Sequence, residues 1–209
     1  MTQTIALRPL GNSEIKISPI GLGCWQFSKQ ENFAGKYWPA LEHDQVTEII
    51  KTSIEGGINW FDTAEFYGNG ASERTLANSL SSLGKKSNEI IVATKWWPMF
   101  RTASNISKTI GHRINALNPY PINLYQVHQP YGFSSVKAEM EAMARLVKEG
   151  KIRHVGVSNF SAAQMRIAWE TLQKHNINLV SNQVRYNLLD RKIESNGILD
   201  TAKELGITL

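Results

Sequence analysis

The stretch Asn59-Trp60-Phe61-Asp62-Thr63-Ala64-Glu65-Phe66-Tyr67-Gly68 decides how the rest of the chain is read. An apolar run closes on a carboxylate, and five residues later a tyrosine precedes Gly68-Asn69-Gly70. Gly and Asn give the backbone the freedom to reverse direction. Asp62 is therefore placed at the C-terminal tip of a strand, with Tyr67 on the loop above it. A fixed carboxylate beside a phenol on an exposed loop can begin acid–base chemistry. An Asp that ends a strand is more often only a turn former, so the other strand ends decide.

Working outward, strands and helices alternate. Residues 4–20 alternate loosely around Gly11-Asn12-Ser13 and predict a small leading hairpin. Residues 19–25 predict a short strand, and 26–41, with Gly35, Pro39 and three aromatics, a loop. Asp44 is expected to cap a helix over 44–55, whose Val46, Ile49, Ile50 and Ile54 fall on one face. Helices are also predicted over 72–83, 104–117, 136–148, from Ser161 to about 174, and over 198–205. Ser161 with Gln164 has the spacing of a capping box. Between them lie strands over 90–95, 122–128, 153–159 and 179–184, and 207–209 begins a seventh.

Apolar strands alternating with helices predict a parallel sheet covered by helices. Asp62, Lys95, His128, Ser158 and Gln183 are spaced by 33, 33, 30 and 25 residues, a regular βα period. A doubly wound sheet fits this period too. An incomplete (β/α)8 TIM-type barrel is preferred, because successive strand ends all carry polar groups. About six βα units and the start of strand seven are present, read as one domain over 1–209.

Composition narrows the function classes. The chain has 209 residues, 42% hydrophobic and 20% charged, the balance of an ordinary globular domain. Its net charge of +5 comes from scattered Lys and Arg, so no nucleic-acid face is expected. A single cysteine, Cys24, excludes an internal disulfide and suits a reducing compartment. Without a membrane-length apolar run or a secretory signal, a cytoplasmic location is expected. The five histidines (43, 112, 128, 154 and 175) lack ligand spacing, so no metal is expected.

Chemistry concentrates at the strand ends. Lys95 follows five apolar-strand residues and is costly to bury unpaired. Asp62, on the neighbouring strand end, is the carboxylate it needs. His128 arises from the next strand end, so Asp, Tyr, Lys and His come from three consecutive strands.

These residues resemble the aldo-keto reductase family. The matching segments are Gly21-Leu-Gly-Cys-Trp25, Asp62-Thr-Ala-Glu-Phe-Tyr67-Gly68, Ala93-Thr-Lys95 and Leu124-Tyr-Gln-Val-His128. They continue through Gly150-Lys-Ile-Arg-His-Val-Gly-Val-Ser-Asn-Phe160 and Asn182-Gln-Val-Arg-Tyr-Asn-Leu-Leu-Asp-Arg191, in family order from about residue 10 to the last. The longer-loop branches, with bacterial reductases and potassium-channel β-subunits, are the most similar. The resemblance implies reduction of a small aldehyde or ketone by NADPH through a tetrad of Asp62, Tyr67, Lys95 and His128. It further implies that Ser158, Asn159 and Gln183 hold the nicotinamide carboxamide and that Cys24 and Trp25 line its pocket. Trp25, Trp96 and Trp97 are candidates for a substrate wall or for the core. Gly21-Leu-Gly23-Cys-Trp-Gln26 lacks a third glycine, so a Rossmann fingerprint is not expected.

In these roles Tyr67 is the general acid, and His128 helps hold the substrate oxygen. A free phenol has a pKa near 10. An ammonium about 4 Å away is worth roughly 4 kcal/mol at an effective dielectric near 20, or about three pKa units. Lys95, kept charged by Asp62, is thus expected to lower the pKa of Tyr67.

A full barrel of this kind needs about 250 residues. The residues at hand stop inside the seventh strand, before the segment that grips most of the nucleotide in the family. Two open sheet edges predict self-association or instability, or a piece of a longer product. A non-catalytic relic or regulatory subunit is the alternative to an enzyme.

Overall fold

The computed structural model describes residues 6–28 and 39–209. Most of the loop expected over 26–41 lies outside the described residues. The described part forms two compact units. The first comprises the residues up to Arg8, Lys16–Trp96 and Thr109–Leu124; the second comprises Pro9–Ile15, Trp97–Lys108 and Tyr125–Leu209.

Two-residue strands β1 (Arg8–Pro9) and β2 (Lys16–Ile17) make the leading hairpin. The strand expected over 19–25 shrinks to β3 (Leu22–Gly23). Its ladder ends where the Cys24 N–H donates to the Asp62 carbonyl at 2.8 Å, and Trp25–Ser28 then coils into a 3₁₀ turn. Helix α1 (His43–Glu55) follows. Its N-cap is Glu42 rather than Asp44, and the Gln45 amide oxygen accepts the Glu42 N–H at 2.9 Å. Asp44 sits inside the first turn, where a carboxylate favours the helix dipole. Only Val46 and Ile50 of its apolar stripe are buried, and Ile49 stays 38% exposed. The helix therefore buries a narrower face than its sequence offers.

Strand β4 (Trp60–Asp62) lies parallel to β3 and to β5 (Ile91–Trp96), with Asp62 opposite Gly23 on one side and Ala93 on the other. Between them runs α2 (Ala71–Ser82), which packs on α1. Helix α3 (Ser104–Leu117) follows β5. Phe61, Leu76, Leu80, Val92, Ile110 and Trp96 form the apolar interior of this first unit, each at 2% exposure or less. Each such side chain contributes roughly 1.5–3 kcal/mol on burial. Trp96 is thus a core residue, not a substrate wall.

The second unit repeats the pattern with β6 (Leu124–Val127), α4 (Val136–Lys148), β7 (His154–Ser158), α5 (Ala162–Gln173), β8 (Leu179–Gln183) and α6 (Ile198–Leu205). Strands β7 and β8 are parallel, and their last rungs join Val157 to Asn182 and Ser158 to Gln183. Helix α4 packs on α5, and α5 on α6. Ser161 and Gln164 form the expected capping box on α5. A 3₁₀ turn at Lys192–Glu194, anchored by buried Ile193, had no clear signal in the sequence. The beginning of a seventh main strand is a parallel bridge between Thr208 and Ser181. Strand order follows chain order within each unit, the order of a (β/α)8 barrel in its first six units.

Candidate active site

In the first unit the register builds the charge pair. Asp62 faces Ala93 across the ladder, and Lys95 lies two residues further along β5, so it shares a sheet face with Asp62. The Lys95 Nζ donates to Asp62 Oδ1 at 2.8 Å, to Oδ2 at 2.7 Å, and to the Thr63 carbonyl at 3.0 Å. Lys95 is 1% exposed and Asp62 8%. Burial alone would depress the lysine's pKa. Asp62, with a smaller contribution from Tyr67, outweighs it, and the pKa lies above the ordinary lysine range. The ammonium is therefore permanent at any physiological pH.

Tyr67 stands over this ammonium, which lies 5.2 Å from its ring centroid. Trp25 stacks on the same ring at 5.9 Å and 19°. The loop turns tightly to place the phenol. Gly68 has φ +68°, and a Cβ there would come within 2.4 Å of the Ser28 carbonyl oxygen. Only glycine fits both conditions. The expectation of a lowered phenol pKa is overturned: Tyr67 titrates above the ordinary range. Burial raises it most, Lys95 pulls it down, and Asp62 pushes it up again. Desolvation, with the carboxylate that already neutralises the lysine, outweighs the pull of the ammonium.

Cys24 is 0% exposed, its Sγ lies 3.5 Å from the Leu22 carbonyl, and burial raises its pKa well above the thiol range. It packs beside the Asp62 strand end, while half-buried Trp25 presents the more open surface.

The second unit gathers a different set. The Ser158 hydroxyl donates to the Gln183 carbonyl at 3.0 Å, and the Asn159 N–H donates to the same carbonyl at 2.9 Å. The Asn159 amide donates to Ser158 Oγ at 3.0 Å and to the His128 carbonyl at 3.4 Å. Asn159 adopts φ +62°, a left-handed conformation that asparagine tolerates better than most residues. Its side chain and that of Gln183 remain exposed, whereas Ser158 is buried. Half-buried Trp97 meets the His128 ring edge-on at 5.2 Å, which places this tryptophan beside a candidate residue. Asp62, Tyr67 and Lys95 are thus assembled in one unit, and Ser158, Asn159, Gln183 and His128 in the other.

Three charged groups escaped the sequence reading. Arg113 Nη1 lies 3.0 Å from Glu65 Oε2, and its Nε lies 2.9 Å from Glu73 Oε2. The Thr94 hydroxyl donates to Glu73 Oε1 at 2.6 Å. Burial raises Glu73 to about 7, against the pull of Arg113 and Thr94. In the second unit Glu139, 2% exposed, is raised to about 8 by burial alone. Helical spacing held the signal: Glu73 shares a face with Leu76 and Leu80, Arg113 with Ile110 and Leu117, and Glu139 with Met143 and Leu146. Among the described residues no group of His, Cys, Asp and Glu could hold a metal ion, and no helix is long and apolar enough to cross a membrane.

Comparison with known proteins gives the family. Residues 19–209 match the model of the aldo/keto reductase family. The chain is 33% identical to the aldo-keto reductase YhdN of Bacillus subtilis, covering 95% of the chain and 59% of that protein. It is 30% identical to the chloroplastic pyridoxal reductase of Arabidopsis thaliana, over 93% of the chain and 56% of that protein. A putative voltage-gated potassium channel subunit beta of Schizosaccharomyces pombe is also 30% identical, over 90% and 56%. The chain therefore spans less than two thirds of the length of these relatives. Among solved structures, the thermostable aldo-keto reductase Tm1743 superposes with a TM-score of 0.83 at 28% identity, over 98% of this chain and 71% of that one. An aldo/keto reductase from Klebsiella pneumoniae, in complex with NADP and acetate, gives 0.77 at 25% identity, over 99% and 66%. With motifs, fold and relatives in accord, this chain belongs to the aldo/keto reductase family.

Proposed function

We propose that this chain carries the proton-transfer half of an NADP-dependent carbonyl reductase, with Tyr67 as the acid. The observation that supports this reading is the buried Asp62–Lys95 pair directly beneath the Tyr67 ring. An ammonium can only donate, so the Tyr67 oxygen accepts from Lys95 and the transferable proton is the phenol's own. The proton leaves as the substrate oxygen gains charge, and Lys95 stabilises the phenolate left behind. Asp62 fixes the ammonium in place. For His128, in the second unit, the family resemblance suggests the role of a hydrogen-bond donor to a carbonyl oxygen.

The second unit fits a carboxamide. Exposed Asn159 and Gln183, beside the Ser158 hydroxyl, offer both donors and acceptors, which a nicotinamide amide requires. NADPH, when bound, supplies the hydride. Trp25 gives an apolar wall, and Cys24 backs it from the interior. The substrate class is a small aldehyde or ketone, in keeping with relatives named as aldo-keto and pyridoxal reductases.

Tyr67→Phe tests the assignment. Aldehyde-dependent NADPH oxidation should fall by about 10²–10⁴-fold, the usual contribution of a general acid. Nucleotide binding, read from tryptophan fluorescence, should persist. Wild-type turnover in this variant would refute the role. A second reading, a nucleotide-binding regulatory subunit, is favoured by the relative named as a channel subunit. It requires NADPH binding without turnover in the unmodified chain.

A further inference from the structure

We infer that Arg113 is a positioning residue for Tyr67, clamping the loop that carries the phenol through a buried fork onto Glu65 and Glu73. The inference deepens the reading above and rests on Tyr67 being the acid. Glu65 precedes Tyr67 by two residues, and Glu73 follows it by six. One guanidinium pairs with both carboxylates, through a hydrogen bond to Glu65 at 3.0 Å and a charge contact with Glu73 at 2.9 Å, with all three side chains at 6% exposure or less. The two ends of the Tyr67 loop are thereby tied to a single point on α3.

The loop closes down on that point. The Gly70 N–H donates to the Glu65 carbonyl at 3.0 Å, and the Ser72 N–H to the Tyr67 carbonyl at 3.2 Å. Gly70 has φ +88°, and a Cβ there would lie 3.0 Å from Arg113 Nη2 and 3.1 Å from Arg74 Nη1. The loop backbone therefore rests against the guanidinium. The clamp also reaches the strand that presents the lysine. Thr94, whose hydroxyl bonds Glu73 at 2.6 Å, immediately precedes Lys95, and the Glu65 N–H donates to the Lys95 carbonyl at 3.2 Å. Phenol and ammonium are thus registered against one another through Arg113.

Lysine is a poor substitute, because its ammonium is one compact point whereas the guanidinium reaches the two carboxylates from separate nitrogens. Arg113→Lys should raise amide hydrogen exchange in residues 63–72 at least tenfold above that of β4 and β5. The Tyr67 titration, isolated by subtracting the ultraviolet spectrum of Tyr67→Phe, should fall toward the ordinary phenol value near 10 as the ring gains water. Glu65→Gln keeps the Arg113–Glu73 pair, so it tests the same loop end even where the lysine variant fails to fold. A lowered melting temperature with unchanged Tyr67 titration and unchanged local exchange would overturn the inference and leave Arg113 a purely structural residue. Neither readout needs turnover. If both move in a protein without reductase activity, the positioning role holds and the acid assignment falls. If neither moves in an active enzyme, the positioning role falls alone.

Discussion

The strand ends of the first unit hold ions, and those of the second hold neutral amides and hydroxyls. Lys95, Asp62, Arg113, Glu65 and Glu73 are all buried in the first. In the second, the side chains of Ser158, Asn159 and Asn182 donate to the backbone carbonyls of Gln183, His128 and Phe160, and Asn159 donates also to Ser158. Buried ions give strong, long-range fields at high desolvation cost, which suits a site that must stabilise developing charge. Neutral groups give directional, low-field contacts, which suit recognition of an uncharged amide. The same βα repeat thus carries buried ions in one unit and neutral hydrogen-bonding groups in the other.

Three substitutions probe that contrast. Lys95→Met should have the largest effect. It strands the Asp62 carboxylate without its cation and should cost about 3–5 kcal/mol of stability in urea unfolding. A loss under 1 kcal/mol would mean that the ion pair is dispensable and the contrast superficial.

Glu139 is the exception in the second unit, a buried carboxyl raised to about 8 by burial alone. The folded chain binds this proton more tightly than the unfolded chain. Its contribution is therefore full below the unfolded value of 4.5 and is lost as pH climbs toward about 8. Glu139→Met should flatten that slope and stabilise the protein by about 2–3 kcal/mol at pH 7 in thermal melts taken across this window. A variant less stable than wild type at pH 8 would show that the ionised carboxylate has a compensating partner.

Asn182 sharpens the neutral side. Its amide donates to the Phe160 carbonyl at 2.9 Å and its oxygen accepts the Phe160 N–H at 3.3 Å, both out of solvent. Asn182→Ala should cost about 1–2 kcal/mol, less than Lys95→Met. The opposite ranking would reverse the division between the units.

Much of this is legible in the sequence. Helices over 104–117, 136–148 and 198–205 were placed to the residue, because apolar periodicity, a capping serine or a following glycine marked their ends. The Asp62–Lys95 pair followed from one cost, a lysine inside an apolar strand. The Arg113 cluster did not. Its partners are 48 and 40 residues away in sequence, and each charge alone reads as one polar residue on a mixed helix. The direction of the Tyr67 shift is hidden for a related reason: the sequence shows the lysine but not the water that the loop removes. The N-cap at Glu42 escaped because glutamate is an uncommon cap, and Asp44 is the stronger local signal.

Cys24 gives the fold an experimental handle. The thiol is wholly enclosed and its thiolate strongly disfavoured, so alkylating reagents meet an unreactive group while the chain stays folded. Its N–H bonds the carbonyl of Asp62, so parting of β3 from β4 brings the thiol toward solvent. Alkylation of this single native cysteine is therefore a built-in clock for the opening of that strand pair, requiring no engineered label.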